Sequence, residues 1–331
     1  MNELVTAIAR SRGGFGFRSD FIAEGFRDKD IKAARRSGVI TRLRHGVYAP
    51  KVDVDQLSPE EKHVLTARAV IARLGSGYVL SHYSAAIMHE PVSYDVDLDT
   101  VHVTRLGGRQ SRTESGVAFH SIDIDESEIV EMQGVPVVSA ARAGFEAASI
   151  STTESGLVII NAALNAGLYT QEEIAAVGQQ GTRWPNTRHA RLAIRLSEPR
   201  CESPGESRSL YMFYTEGVPR PQFQVVLAIG DGEPDPRVDC RWEEHCHAGE
   251  FDGLYKYGRL NTGADPYDVL VSEKHREDRI RAIPCGMSRW TWRDLDPKRR
   301  SATASRINAA LAQSRRLYRR NAVHIPLGPT S

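Results

Sequence analysis

Two nearby stretches, PRVDCRW and HAGEFDGLYKYGRL, set acids inside an apolar, strand-like alternation. Aspartate is disfavoured in strands, so Asp239, Glu250 and Asp252 restrict the fold more than any other feature of the chain. Strand residues two apart point to one face, which puts Glu250 and Asp252 together and lets a neighbouring strand bring Asp239 to the same point. Three carboxylates in one place repel one another unless a cation neutralises them. Oxygen-only ligands with room for water suit Mg²⁺ or Mn²⁺ and not zinc. Gly253 permits a turn after the acid pair. Lys256 follows, where it would orient a nucleophile or neutralise a phosphate oxygen beside such a metal.

The surroundings of these acids have a regular order. Residues 206–216 read as a helix stopped by Gly217, QFQVVLAI as a strand, GDGEPD as a hairpin turn, PRVDCRW as the returning strand and EFDGLY as the next. Glu206, on the helix, offers a fourth acid. Single acids on strands are commonly independent surface charges. Their placement across a helix, strand, strand, strand unit argues for a shared site instead.

The other end of the chain carries a different pattern. Residues 2–12 have helical apolar spacing, Ser19 and Asp20 cap a short run limited by Gly25, and DKDIKAARRSG is a third helix closed by Gly38. VITRLRHGVYAP then alternates around His45 and Gly46 as a β-hairpin does. Three short helices and a basic hairpin describe a winged helix-turn-helix. Its third helix would offer Lys29, Lys32, Arg35 and Arg36 to a major groove, with Arg42 and Arg44 where a wing touches phosphate.

Charge supports contact with a polyanion at both ends. The net charge of the 331 residues is only +1, yet residues 1–50 hold ten Lys/Arg against five acids, and residues 297–331 hold eight against none. Between them, Ser58-Pro59-Glu60-Glu61 starts a helix. VLSHYSAAIMHEP, VVSAARAGFEAAS and ESGLVIINAALNAG read as further helices, and TVHVTR and VAFHSI as strands. GTRWPN and SEPRCESPGES are linker-like, which sets a boundary near residue 200. The expected fold class is α/β (α+β). It comprises a winged helix at 1–50, a mixed α/β domain at 51–198, a mixed sheet flanked by helices at 199–297 and a basic helix and tail at 298–331.

Other chemistries find little support. GGFGF and GDGEPD lack the lysine and hydroxyl of a phosphate loop, and Ser84, Ser139 and Ser155 lack a nucleophile elbow. Cys240, His245, Cys246 and His247 crowd together without the paired spacing of structural zinc sites, and His82 and His89 alone assign no metal. Four cysteines are too few for a disulfide scaffold, and no run approaches the roughly 20 apolar residues of a membrane span. A signal peptide's apolar run is also missing, so a cytoplasmic location without membrane contact is expected.

Two resemblances join these readings. The order Glu206, Asp239, Glu250-Phe251-Asp252, Lys256 resembles the PD-(D/E)xK restriction-endonuclease superfamily. EFDG, with the tail EKHREDRIRAIPCGMSRWTWRDL, resembles its branch related to very-short-patch repair endonucleases. The resemblance covers about residues 200–295 and implies metal-dependent phosphodiester hydrolysis, with Asp239 and Glu250 on the metal and Asp252 and Glu206 supporting. That superfamily's usual lysine lies two residues after the second acid, which is Asp252 here, so Lys256 takes the role from a new place. GGFGFRSDFIAEG, RSGVITRLRHGVYAP, LSHYSAAIMHE and GVPVVSAARAGFEAA resemble the AbiEi-type antitoxins of bacterial abortive-infection systems. That likeness implies promoter binding and a nucleotidyltransferase-type toxin as partner. The expected function is a double-stranded-DNA-binding protein with a Mg²⁺- or Mn²⁺-dependent endonuclease-like domain, in phage defence or a toxin-antitoxin-related system. The alternative is a non-catalytic antitoxin and autoregulator.

Overall fold

A computed structural model describes residues 2–107, 110–181, 184, 187–229, 232–253, 275–276, 278–280 and 283–318. The chain is mixed α/β and divides into two compact units, Met1–Arg191 and Leu192–Ser331. Among the described residues no helix is long and apolar enough to cross a membrane.

The first unit opens with α1 (Asn2–Arg10), β1 (Gly16–Phe17), α2 (Arg18–Ala23), α3 (Asp28–Arg36), β2 (Ile40–Arg44) and β3 (Val47–Pro50). The strands form a small antiparallel sheet in the order β1-β3-β2. Val5, Ile8, Ala9, Phe21, Ile31, Ala34 and Ile40 make one core of their own, because the apolar positions of three short helices converge there. The three helices and the β2–β3 hairpin follow the helical spacing and the alternation around Gly46, but α2 starts at Arg18, ahead of the expected Ser19–Asp20 cap, and Gly16–Phe17 of the expected turn pairs with β3 as a third strand.

The rest of that unit runs α4 (Lys51–Val54), α5 (Pro59–Leu74), β4 (Tyr78–Leu80), α6 (His82–His89), β5 (Val101–Arg105), β6 (Arg112–Glu114) and β7 (Val117–His120). It continues through β8 (Ile129–Met132), β9 (Val135–Val138), α7 (Ala140–Ser149), α8 (Thr153–Asn165) and α9 (Gln171–Gln180). A six-stranded sheet in the order β6-β7-β5-β4-β9-β8 mixes parallel and antiparallel pairs. Side chains of α5, α6, α7 and α8 close its core. Ser58 caps α5 with Glu61 in a capping box, as its sequence implies.

Two expected helices are shorter than their apolar runs. Val79 and Leu80 belong to β4, and Val137 and Val138 to β9, with the helices starting at His82 and Ala140. A buried strand in the middle of a sheet is apolar on both faces, so periodicity alone cannot separate it from a buried helix.

The second unit takes in the end of α10 (Thr187–Leu196), then α11 (Pro204–Thr215), β10 (Gln222–Val226), β11 (Arg237–Trp242), β12 (His247–Asp252), β13 (Gly286–Thr291) and α12 (Arg300–Tyr318). Strands β10, β11 and β12 are sequential and antiparallel, and β13 returns parallel to β12. Phe213, Trp242 and Trp290 pack edge to face behind the sheet, and Trp290 donates its indole N–H to Ser209 Oγ at 2.6 Å. The basic C-terminal segment is no detached tail over its described length. Ile307 and Leu311 of α12 are fully buried, and Ser314 hydrogen-bonds His247.

Candidate carboxylate site

The start of α11 decides where Glu206 sits. Ser203 is its N-cap and Pro204 its first residue, and the Ser203 hydroxyl both accepts from Glu206 N and donates to Glu206 Oε1, at 3.2 and 2.7 Å. Gly205 comes so close to Phe251 that a Cβ there would lie 2.0 Å from the ring. Gly249 is also tight, though less so, against Trp242 and Trp290, where a Cβ would lie 2.8 Å from the rings. Both acids therefore follow glycines that let helix and strand approach closely. Glu206 and Glu250 are buried as a result.

Strand register supplies the rest. Cys240 pairs with Gly249, so Asp239 and Glu250 are next across the β11–β12 ladder. Asp239 Oδ2 accepts the Phe251 backbone N–H at 2.8 Å. Gln224 of β10 joins the two other acids: its side-chain amide donates to Glu206 Oε2 at 2.7 Å and, at 3.4 Å, to Asp239 Oδ1. Gln224 does so from a left-handed backbone, φ +53, inside a strand. Such a conformation costs about 1–3 kcal/mol for a non-glycine residue and clusters at functional sites. Glu206 and Asp239 thus share one strained partner, and Glu250 stands opposite Asp239 on the next strand.

Glu250 is held differently. Its Oε1 accepts from both terminal nitrogens of Arg276, at 2.8 and 2.7 Å, and its Oε2 from Arg289 at 2.9–3.1 Å. Arg289 stands directly opposite Glu250 in the parallel β12–β13 register. Burial nonetheless leaves the Glu250 carboxyl above its ordinary value, with Asp239 adding to the rise. Burial and the Asp239 charge raise Glu206 in the same way.

The sequence expectations fall out unevenly. Glu206, Asp239 and Glu250 are brought together, while Asp252 lies half-buried at the end of β12 opposite Thr291. Lys256 lies outside the described residues, as do Glu273, Lys274 and Glu277. Gln224, Arg276 and Arg289 escaped the sequence reading. A polar residue in the QFQVV alternation and an arginine in SRWTW are the signals that point to two of them. For a divalent cation, the oxygen-only chemistry of these acids is suitable. Among the described residues, however, no group of three or more His, Cys, Asp and Glu side chains is arranged to hold a metal ion. The Glu250 oxygens are occupied by guanidinium groups. His247, near the crowded cysteines, spends both ring nitrogens on Ser288 and Ser314 at 2.8 Å.

Lys29, Lys32, Arg35 and Arg36 of α3 and Arg42 of β2 are all exposed. The acids of this segment are engaged elsewhere, Asp28 by Arg18, Asp30 by Arg27 and Asp20 by Arg12, which leaves those five cations facing solvent. Arg44 differs. Its guanidinium donates to the Ser115 carbonyl at 2.7 Å, and burial, with Arg73 nearby, lowers its pKa.

No family model and no curated protein sequence matches the chain. Among solved structures, the crystal structure of RV2827C protein from Mycobacterium tuberculosis is similar with a TM-score of 0.37 and 14% identity. The match covers 67% of this chain and 82% of that one, and at this level adds nothing to the functional argument.

Proposed function

We propose that the chain is a DNA-binding protein whose second unit hydrolyses phosphodiester bonds with a divalent metal. The observation that supports this reading is that Gln224, from a left-handed backbone, bridges Glu206 and Asp239, with Glu250 directly opposite Asp239 across the β11–β12 ladder. Asp239 and Glu250 would hold Mg²⁺ or Mn²⁺, with Asp252 and Glu206 in support. Once bound, the metal supplies an activated water and neutralises charge on the phosphate. Gln224 fixes the Glu206 and Asp239 carboxylates through its amide, and the Phe251 N–H orients Asp239. Lys256 is the residue proposed to aid the nucleophile. Lys29, Lys32, Arg35, Arg36 and Arg42 would hold duplex DNA, because the winged helix directs them to solvent with their neighbouring acids already paired.

The test is a cleavage assay with Mg²⁺ or Mn²⁺ over plasmid, linear and nicked DNA. Asp239→Asn and Glu250→Gln are each expected to lose at least about 100-fold in rate, the order seen when a charge-stabilising group is removed, with DNA affinity unchanged. Wild-type protein that cuts none of these substrates defeats the reading.

The arginines on Glu250 and the aspartate at position 252 favour a second reading. The nuclease-like unit would then be a binding module in a non-catalytic, AbiEi-like antitoxin and autoregulator with a nucleotidyltransferase-type toxin as partner. Promoter binding weakened by Arg35→Ala, together with co-purification of a protein encoded beside it, would support this second reading.

A further inference from the structure

We infer that Cys246 and Cys285 are a redox pair: a hydroperoxide oxidises Cys285, and Cys246 resolves it to a reversible disulfide that ties the start of β12 to the start of β13. The inference is independent of the metal-dependent reading above.

Register brings the two thiols together. Strands β12 and β13 run parallel with His247 opposite Gly286, and the Gly286 N–H donates to the Cys246 carbonyl at 2.9 Å. Cys246 and Cys285 are therefore the next pair along, just ahead of both strands. Neighbouring strands lie about 4.8 Å apart, inside the roughly 4.4–6.8 Å between Cα atoms that a disulfide spans. Cys246 also holds a left-handed backbone, φ +48, a conformation that costs a non-glycine residue energy and clusters at functional positions.

The four cysteines, all free, fall into two neighbouring pairs, since Cys201 also acts on Cys240. Their surroundings differ in sign. Cys201 and Cys240 are 1% and 0% exposed; burial pushes both thiols well above their ordinary value, and carboxylates, Glu206 at Cys201 and Asp239 at Cys240, add to the rise. Cys246 and Cys285 are each 8% exposed, which leaves a small oxidant more access. Burial raises the Cys285 thiol too, but there the Arg241 guanidinium donates to the sulfur and pulls the other way. Arg241 is itself only 7% exposed, and its Nη1 has no hydrogen-bond partner. A buried guanidinium with a nitrogen to spare gains from an anion beside it, and the Cys285 thiolate supplies that anion.

With hydrogen peroxide as oxidant the chemistry balances. The Cys285 thiolate attacks one peroxide oxygen: the S–O bond forms, the O–O bond breaks, and hydroxide leaves to take up a proton as water. The Cys246 thiolate then attacks the sulfenic sulfur, so that the S–S bond forms, the S–O bond breaks and a second water leaves. The two sulfurs give up two electrons and the peroxide gains them. A dithiol reverses the change. Because β12 carries Glu250 and β13 the facing Arg289, the bond would fix the register of that row under oxidation.

The experiment treats the reduced full-length protein with hydrogen peroxide, quenches it with an alkylating reagent in denaturant, and maps the peptides by mass spectrometry. Wild type should give one cross-link, between the peptides of Cys246 and Cys285, that dithiothreitol separates, with Cys201 and Cys240 recovered as alkylated thiols. Cys246→Ala should leave Cys285 as a sulfenic acid that dimedone captures. Arg241→Met should form the link at least about tenfold more slowly, as expected when a cation no longer supports the thiolate. No link in wild type, thiol loss spread evenly over the four cysteines, a Cys201–Cys240 link in its place, or a wild-type rate in Arg241→Met each overturns the inference. Should either variant fail to fold, the wild-type map decides alone.

Discussion

Each unit buries a charged cluster, and the two are built to opposite ends. In the first unit, the rings of His82 and His120 stack with centroids 3.6 Å apart, and His102 Nδ1 lies 2.9 Å from His120 Nε2. Beside them the fully buried Glu146 takes Arg142 Nε at 2.8 Å and the His82 backbone N–H at 3.1 Å, while Arg142 also binds Glu128. His63 closes the network through Ser84, which accepts the His102 N–H. Cation and anion are both enclosed here. In the second unit Glu206 and Glu250 are enclosed, while Asp239 is half-buried and the two arginines on Glu250 are about one-third exposed. A closed network rigidifies a core, whereas a half-open one leaves charge for a ligand to meet.

The largest effect should come from opening the closed cluster. Arg142→Met strands Glu146 in the core and is expected to cost about 3–5 kcal/mol, read as a fall in the urea midpoint of the first unit. Glu250→Gln should cost under about 1 kcal/mol by the same measurement, because its arginines keep their solvation. Equal losses would erase the distinction and make the Glu250 pairing structural. Next in size, Gly205→Ala or Gly249→Ala forces a methyl into Phe251 or the Trp242–Trp290 pair and should cost about 1–3 kcal/mol. Cleavage should fall with Gly205→Ala even in the folded fraction, since Glu206 moves with its helix.

pH separates the clusters by sign. Burial, with the neighbouring imidazoles, depresses His102 to about 3, burial depresses His120 to about 4, and His82 falls well below its ordinary value. The unfolded chain takes up these protons near pH 6.5 and the folded cluster refuses them. Stability of the first unit should therefore fall as pH drops through 6.5, by at most about 1.4 kcal/mol per pH unit for each imidazole. The loss should flatten once the folded groups titrate. Glu206 and Glu250, whose pKa values are raised, should work in the opposite direction in the second unit. Calorimetric scans from pH 8 to about 5 would resolve the two transitions, and a stability independent of pH would show the imidazoles to be solvated.

The smallest expected effect lies on α3 and β2. Arg35→Ala or Arg42→Ala should weaken duplex binding and reduce the salt slope by about one unit for each lost phosphate contact. Arg44→Ala, with its guanidinium on Ser115, should lower stability more than DNA affinity. Anisotropy titrations over a salt series would show the difference.

Local patterns carried the sequence reading far. Helical spacing and glycine stops announce α1, α2 and α3, Ser58 with Glu61 announces the start of α5, and alternation places Asp239, Glu250 and Asp252 on strands, because each signal depends on residues within a turn or a pleat. Short interior strands such as β4 and β9 stayed hidden inside apolar runs, since burial on both faces erases the alternation. By itself, then, the sequence determined three short helices and a basic hairpin near the start, the helix and three strands that carry the acids, and the acids themselves. Tertiary structure alone decided that Arg289 stands opposite Glu250, that Arg276 joins it, that Gln224 bridges two acids from a left-handed backbone, and that three histidines from α6, β5 and β7 stack beside Glu146. Those contacts depend on register and packing between residues far apart in the chain, which no local pattern encodes.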